Sequence, residues 1–201
     1  DDIRRYLDLD DRLLTLKLTP NRADCLSLEG IARDVAALTG APARFAAVEA
    51  VAATISASRV VVLDAPQACP LYCGRIIAGV DAGAMTPGWM RRRLERSGIR
   101  PISALVDITN YVMLELGQPL HAFDNARLTG AIHVRMARKR ESIVLLNEQT
   151  LELQEDVLLI ADERRPVAMG GIMGGADTGI TSVTTEVFLE SAFFAPKAIA
   201  G

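Results

Sequence analysis

The sequence predicts an α/β (α+β) fold, with layered mixed or antiparallel β-sheets and flanking helices. Three observations predict it. Apolar residues recur at helical spacing in segments that close on glycine. From residue 142 to 194, short apolar runs recur with turn signals between them. Strand and helix signals do not alternate as they would in a strand–helix–strand repeat. The chain has 201 residues and about half are apolar, enough for one large domain, or one domain with a small flanking segment, around a sizeable core.

Each element follows from local pattern. Leu14, Leu16 and Leu18 alternate with Thr15 and Lys17, the period of a half-buried strand. The turn Thr19-Pro20-Asn21-Arg22-Ala23-Asp24 comes next, then Leu28, Ile31, Val35 and Leu38 at helical spacing, with Gly40 as the C-cap. Residues 1–42 therefore read as a strand–turn–helix unit. Residues 43–58 are rich in Ala, lack a period and read as a linker. Val60–Leu63 and Tyr72–Val80 are strand candidates. Thr86 as N-cap and Pro87 at the first helical position open a helix that Gly98 closes. Asp107 is a candidate cap for a second helix ended by Gly117. Ile132, Val134 and Met136 alternate as a strand, and the β-rich stretch adds runs at 143–146, 157–160, 167–169 and 187–189.

Charge is mixed, 22 basic against 25 acidic residues, so there is no global electrostatic case for nucleic-acid binding. The densest basic cluster, Arg91, Arg92, Arg93, Arg96 and Arg100, reads either as a solvated helix face or as a contact to RNA phosphate. The three cysteines, Cys25, Cys69 and Cys73, are too sparse and too odd in number for a secreted disulfide scaffold. With two histidines in the chain a four-ligand zinc site has little support, so free thiols and no metal are expected. No apolar run approaches the roughly 20 residues of a bilayer span, and the first residues are not a signal peptide. A reducing, cytoplasmic setting is expected. The abrupt ends suggest a piece of a longer protein.

Three constellations are candidates for chemistry. In Gly117-Gln118-Pro119-Leu120-His121 a glycine ends the helix, Pro119 stiffens the exit and His121 is expected on a loop, either facing a ligand or holding the turn. In Met169-Gly170-Gly171-Ile172-Met173-Gly174-Gly175 the glycines fit tight turns between strands or a pocket wall of bare backbone. The stretch is neither a P-loop nor a dinucleotide fingerprint. Glu190 sits in the apolar run Val187–Phe194, where an unpaired carboxylate is costly. Strand alternation puts it on the same face as Phe188, so it is expected to point inward. No nucleophile motif stands out. The residues alone reach an α/β domain with a glycine-walled pocket around His121 and Glu190.

Three segments together resemble the bacterial phenylalanine–tRNA ligase β-subunit family. They are Leu18-Thr19-Pro20-Asn21-Arg22-Ala23-Asp24-Cys25-Leu26-Ser27; Gly98-Ile99-Arg100-Pro101 through Val106-Asp107-Ile108-Thr109-Asn110-Tyr111 to His121-Ala122-Phe123-Asp124; and Ala168–Gly175 followed by Glu190-Ser191-Ala192-Phe193-Phe194. The resemblance implies an α2β2 enzyme that charges tRNA(Phe) at a synthetic site on the α subunit, with ATP and magnesium bound there and no cofactor in this piece. It implies that residues 59–201 are an editing domain, truncated at its C-terminal end, that hydrolyses tyrosine misattached to tRNA(Phe). Residues 1–42 would be part of the N-terminal region. The partners implied are the α subunit and the 3′ end of tRNA(Phe), with no membrane and no DNA. The family's pocket histidine falls on His121, beside Pro119; its glycine wall on Gly170, Gly171 and Gly174; its carboxylate on Glu190. A threonine and a small residue of the family pocket would lie beyond Gly201.

These residue types suit the implied task. Tyrosine differs from phenylalanine by one hydroxyl, which an apolar pocket separates poorly and a buried acceptor separates well. An ionised Glu190, left unpaired by phenylalanine, would accept the tyrosine O–H. An aminoacyl ester is already labile, so a held water and amides near Gly174 facing the oxyanion would suffice. His121 would hold the water, bind the ribose or act as base.

Overall fold

The computed structural model describes residues 2–45 and 47–200; Asp1, Ala46 and Gly201 lie outside the described residues. The chain opens with a single helical turn, α1 (Ile3–Tyr6). The strand expected around Leu14–Leu18 is absent: these residues form no regular structure, and Leu14 and Leu16 are exposed. Alternation supplies a face but not a partner, and a strand needs a neighbour for its N–H and C=O groups. Helix α2 (Leu28–Thr39) forms as expected and ends at Gly40, but its N-cap is Ser27, whose hydroxyl accepts from the Gly30 amide. Arg22 bridges Asp24 and Asp34 and ties the preceding turn to this helix. The described part of 41–58 has no regular structure.

The rest builds two larger sheets and a two-stranded hairpin. The first elements are β1 (Val61–Leu63), β2 (Leu71–Ala78), α3 (Gly88–Arg96), α4 (Ala104–Leu116), β3 (Leu120–Asp124) and β4 (Ile132–Met136). Then come β5 (Ser142–Val144), β6 (Thr150–Glu152), β7 (Leu158–Ala161), β8 (Pro166–Met169), β9 (Met173–Gly174), β10 (Glu186–Phe193) and the short α5 (Pro196–Ile199). One sheet has the order β1-β4-β7-β8-β9, parallel at β1/β4 and antiparallel elsewhere; the other is an antiparallel β2-β10-β3; β5 and β6 form a hairpin. The mixed α+β architecture is therefore the expected one.

The main core joins the sheets. Phe123 and Phe188 come from one, and Ile132, Val134, Leu158, Ile160 and Val167 from the other. The opposite face of β7 gives Leu159 to a second cluster with Ile143 and Leu145, so every residue of β7 is buried. A strand covered on both faces reads as a continuous apolar run rather than an alternating one.

Two helix starts differ from expectation. Thr86 does not cap α3, whose N-cap is Pro87; its hydroxyl donates to Asp107 instead. Asp107 does not cap α4 either. Ser103 does, its hydroxyl accepting from the Val106 amide, while Asp107 is fully buried one turn in and also accepts from the Ile102 amide at 2.8 Å. Asp107 thus fastens the entrances of both helices. The arginines of α3 are engaged within the chain: Arg91 with Glu95, Arg92 with Asp8, Arg93 with the Tyr111 hydroxyl and Arg96 with Asp11.

Candidate active site

The site forms where α4, the second sheet and the β8–β9 hairpin meet. Gly117 closes α4 with φ 78°, a left-handed turn that a side chain would strain. The chain then runs through Gln118-Pro119 directly into β3. His121 is therefore a strand residue, not the loop residue expected, because Leu120–Asp124 pairs with β10 along its length. In that register His121 lies directly opposite Glu190, so the two side chains share one face of the sheet. On the other side of β10, Glu190 faces Gly74 of β2.

The glycine segment makes the facing wall. Met169 and Met173 pair across a tight hairpin, with Gly171 at its tip at φ 70°. Gly174 lies against the imidazole: a Cβ there would sit 2.3 Å from His121 Cε1. Between wall and sheet is a cavity of about 390 Å³, lined by Pro119, His121, Gly171, Gly174, Glu190 and Phe194 among others. Five of the six residues predicted for the site therefore converge. Gly170 stands behind the lining, where its amide donates to the Leu158 carbonyl at 2.9 Å. The Gly175 amide is likewise committed, to the Val167 carbonyl at 2.7 Å.

Burial sets the electrostatics. His121 is pushed down to about 4 by burial alone, so its ring is neutral near pH 7. Its Nε2 is buried and has no hydrogen-bond partner among the described residues. Glu190 is 7% exposed, and burial pushes it up to about 7 against the opposing hydrogen bond from Tyr72. That bond, from the Tyr72 hydroxyl to Glu190 Oε2 at 2.9 Å, corrects the expectation of an unpaired carboxylate. Burial and the neighbouring carboxylate hold the Tyr72 hydroxyl well above its ordinary range, so it remains a donor.

A family model described as the B3/4 domain matches residues 68–201. The chain belongs to the B3/4 domain family. Over 99% of its length it is 69% identical to the phenylalanine–tRNA ligase β subunit of Dechloromonas aromatica, and over 100% it is 66% identical to that of Aromatoleum aromaticum. It spans 25% of each of these relatives. Its fold matches a crystal structure of an N-terminal fragment of the phenylalanyl-tRNA synthetase β subunit from Pyrococcus horikoshii, with TM-score 0.51 and 18% identity, covering 99% of this chain and 65% of that one. The likeness to β-subunit sequences read from three segments thus extends along the whole chain.

Other residues shape the cavity or hold its carboxylate without any local signal in the sequence. Tyr72 is 118 positions from the carboxylate it holds, and nothing local marks the pairing of β2 with β10. Phe194 and Ile199 close the cavity on the far side of the hairpin tip. The Cys25, Cys69 and Cys73 thiols are free, as expected. Among the described residues, no group of three or more His, Cys, Asp or Glu side chains is placed to hold a metal ion, and no helix is long and apolar enough to cross a membrane.

Proposed function

We propose that this B3/4 domain is an editing site that hydrolyses tyrosine misattached to tRNA(Phe), within a cytoplasmic phenylalanine–tRNA ligase. In this reading the parent enzyme charges tRNA(Phe) with its α subunit, using ATP and magnesium at a separate synthetic site. The domain, taken as residues 59–201, receives the 3′ end of the tRNA. One observation carries the proposal: His121 and Glu190, far apart in sequence, are cross-strand neighbours at one end of a cavity with bare backbone opposite.

A phenol oxygen both donates and accepts one strong hydrogen bond. Glu190 supplies the acceptor. Neutral His121, with Nε2 protonated, supplies the donor. Phenylalanine in the same place leaves His121 Nε2 and one oxygen of Glu190 without a partner, the other oxygen being held by Tyr72, and a site built to bond a hydroxyl rejects the analogue lacking it. Because His121 and Glu190 sit side by side, we assign His121 to reading the hydroxyl rather than to activating water. The ester then lies towards the glycine hairpin, where water attacks the carbonyl carbon, the ester C–O bond breaks and the ribose oxygen leaves with a proton. Amides of the hairpin not already bonded are the candidate oxyanion donors.

The test is deacylation of tyrosyl- and phenylalanyl-tRNA(Phe) by the full β subunit assembled with its α subunit. Faster hydrolysis of the tyrosyl ester, with that preference lost in His121→Ala, is the expected result. A parent enzyme that hydrolyses neither ester would overturn the proposal and leave a scaffold or tRNA-binding role for the domain.

A further inference from the structure

The carboxylate of Glu190 is asymmetric. Oε2 receives the Tyr72 hydroxyl at 2.9 Å, whereas Oε1 has no hydrogen bond to the protein among the described residues. Oε1 is also absent from the fully buried polar atoms without a partner, so it keeps access to the cavity that Glu190 lines. Tyr72 does not line that cavity. It reaches Glu190 from β2, on the side of β10 away from His121. Tyr72 is two residues before Gly74, the register partner of Glu190, and on the same face of β2. Its ring stacks on Phe188, with centroids 6.5 Å apart and planes 16° from parallel. Phe188 fits there because Gly74 has no side chain: a Cβ at Gly74 would sit 2.4 Å from Phe188 Cζ. The Tyr72 ring is thus fixed by packing, and its hydroxyl has one acceptor.

We propose that Tyr72 is a specificity-determining positioning residue, which ties back one oxygen of Glu190 so that a single acceptor, Oε1, faces the ligand. The acceptor site would take a hydroxyl group and, under the function proposed above, the phenol of a tyrosyl ester. An untethered carboxylate turns about its terminal bond and presents either oxygen; the tether removes that freedom before the ligand arrives. The tether also biases protonation. A donor to a carboxylate favours its ionised form, and only the ionised form offers Oε1 as a full acceptor. The other titratable groups packed around Glu190 are His121 on β3, neutral near pH 7, and the buried Cys69 thiol ahead of β2, pushed up to about 11. Neither changes charge between about pH 5 and 9, so a midpoint in that range belongs to Glu190.

The change that tests this is Tyr72→Phe, which keeps the ring and deletes the hydroxyl. In the 201-residue chain, the ¹³C-labelled carboxyl of Glu190 should titrate about one unit higher in Tyr72→Phe than in the parent. An unmoved midpoint overturns the proposal whatever the domain hydrolyses. If Tyr72→Phe does not fold, a ¹³Cζ label at Tyr72 in the parent replaces it. That signal should shift through the Glu190 midpoint, and a flat signal overturns the proposal. In the assembled enzyme, the ratio of tyrosyl- to phenylalanyl-ester hydrolysis cancels the common pH dependence of ester attack. The pH at which this ratio rises should move up by the same amount in Tyr72→Phe, and the variant should change nothing further in a Glu190→Gln background. A uniform loss of rate with the ratio and its midpoint unmoved would show a merely structural role. A parent that hydrolyses neither ester removes the proposed function, while the carboxyl titration still decides the tether.

Discussion

Replacing His121 by Asn should uncover a fall in stability with rising pH that the parent chain conceals. In the folded state Glu190 is pushed from an ordinary 4.5 up to about 7 by burial. Between those values the unfolded chain has released this proton and the folded chain has kept it. Stability contributed by the neutral carboxyl is therefore present below about pH 4.5 and lost as pH rises to about 7, in total roughly 3 kcal/mol. His121 behaves oppositely. Burial pushes it from 6.5 down to about 4, so the unfolded chain gains a proton the folded chain refuses. Its effect is to lose stability as pH falls from about 6.5 to 4, again by roughly 3 kcal/mol. In the shared window the two slopes cancel. His121→Asn leaves the Glu190 slope, a loss of about 1.4 kcal/mol per pH unit on going from pH 5 to 6.5. Glu190→Gln leaves the His121 slope, a gain of similar size over the same range. Urea unfolding of the parent and both variants at half-unit pH steps reads this directly. The cavity left by a smaller side chain shifts each curve by a constant and does not alter its slope. Variant curves parallel to the parent curve would refute the assignment of two oppositely shifted groups to this cavity.

Three further outcomes are expected. Gly174→Ala puts a Cβ 2.3 Å from the imidazole and should cost about 1–3 kcal/mol in urea unfolding, with at least about a tenfold loss of tyrosyl-ester hydrolysis as the displaced ring misplaces the substrate; parent-like values in both assays would show that the wall does not hold His121. Glu190→Ala should raise phenylalanyl-ester hydrolysis relative to tyrosyl-ester hydrolysis in the assembled enzyme, and an unchanged ratio would remove Glu190 from substrate selection. Asp107→Ala strips the partner from the Thr86 hydroxyl and the Ile102 amide at a fully buried position, so it should lower stability by about 1–3 kcal/mol with the ester ratio unmoved.

Local features of the fold were legible in the sequence and non-local ones were not. Helices α2, α3 and α4 were readable because periodicity and a glycine just past the end are properties of a few adjacent residues. Their starts were less so, since Thr86, Asp107 and Ser103 are all competent caps and tertiary contacts chose among them: the buried Asp107 takes the Thr86 hydroxyl, and Ser103 takes the helix. The false strand at Leu14–Leu18 has the same origin. Its alternation is genuine, but no neighbouring strand is present among the described residues. The strand at Leu120–Asp124 was missed for the converse reason. Its sequence has a turn-like approach in Gly117-Gln118-Pro119, and only pairing with β10, some seventy residues later, makes it extended.

The candidate site divides along the same line. His121, the glycines and Glu190 could be named from composition and family likeness, but their adjacency is a matter of register. A shift of one residue in the pairing of β3 with β10 would send Glu190 and His121 to opposite faces of the sheet. Register here is held by packing. Phe123 and Phe188 are register partners, both fully buried in the main core, and they lie two residues along from His121 and Glu190 on the same face. Slipping the strands to separate the site pair would also expose one of these rings, at a cost of about 1.5–3 kcal/mol. Two glycines then make room for the rings on that face, Gly74 beneath Phe188 and Gly174 against His121. The placement of the polar pair therefore follows from the aromatic pair beside it, and a half-buried histidine next to a buried acid persists because the core specifies the register that brings them together.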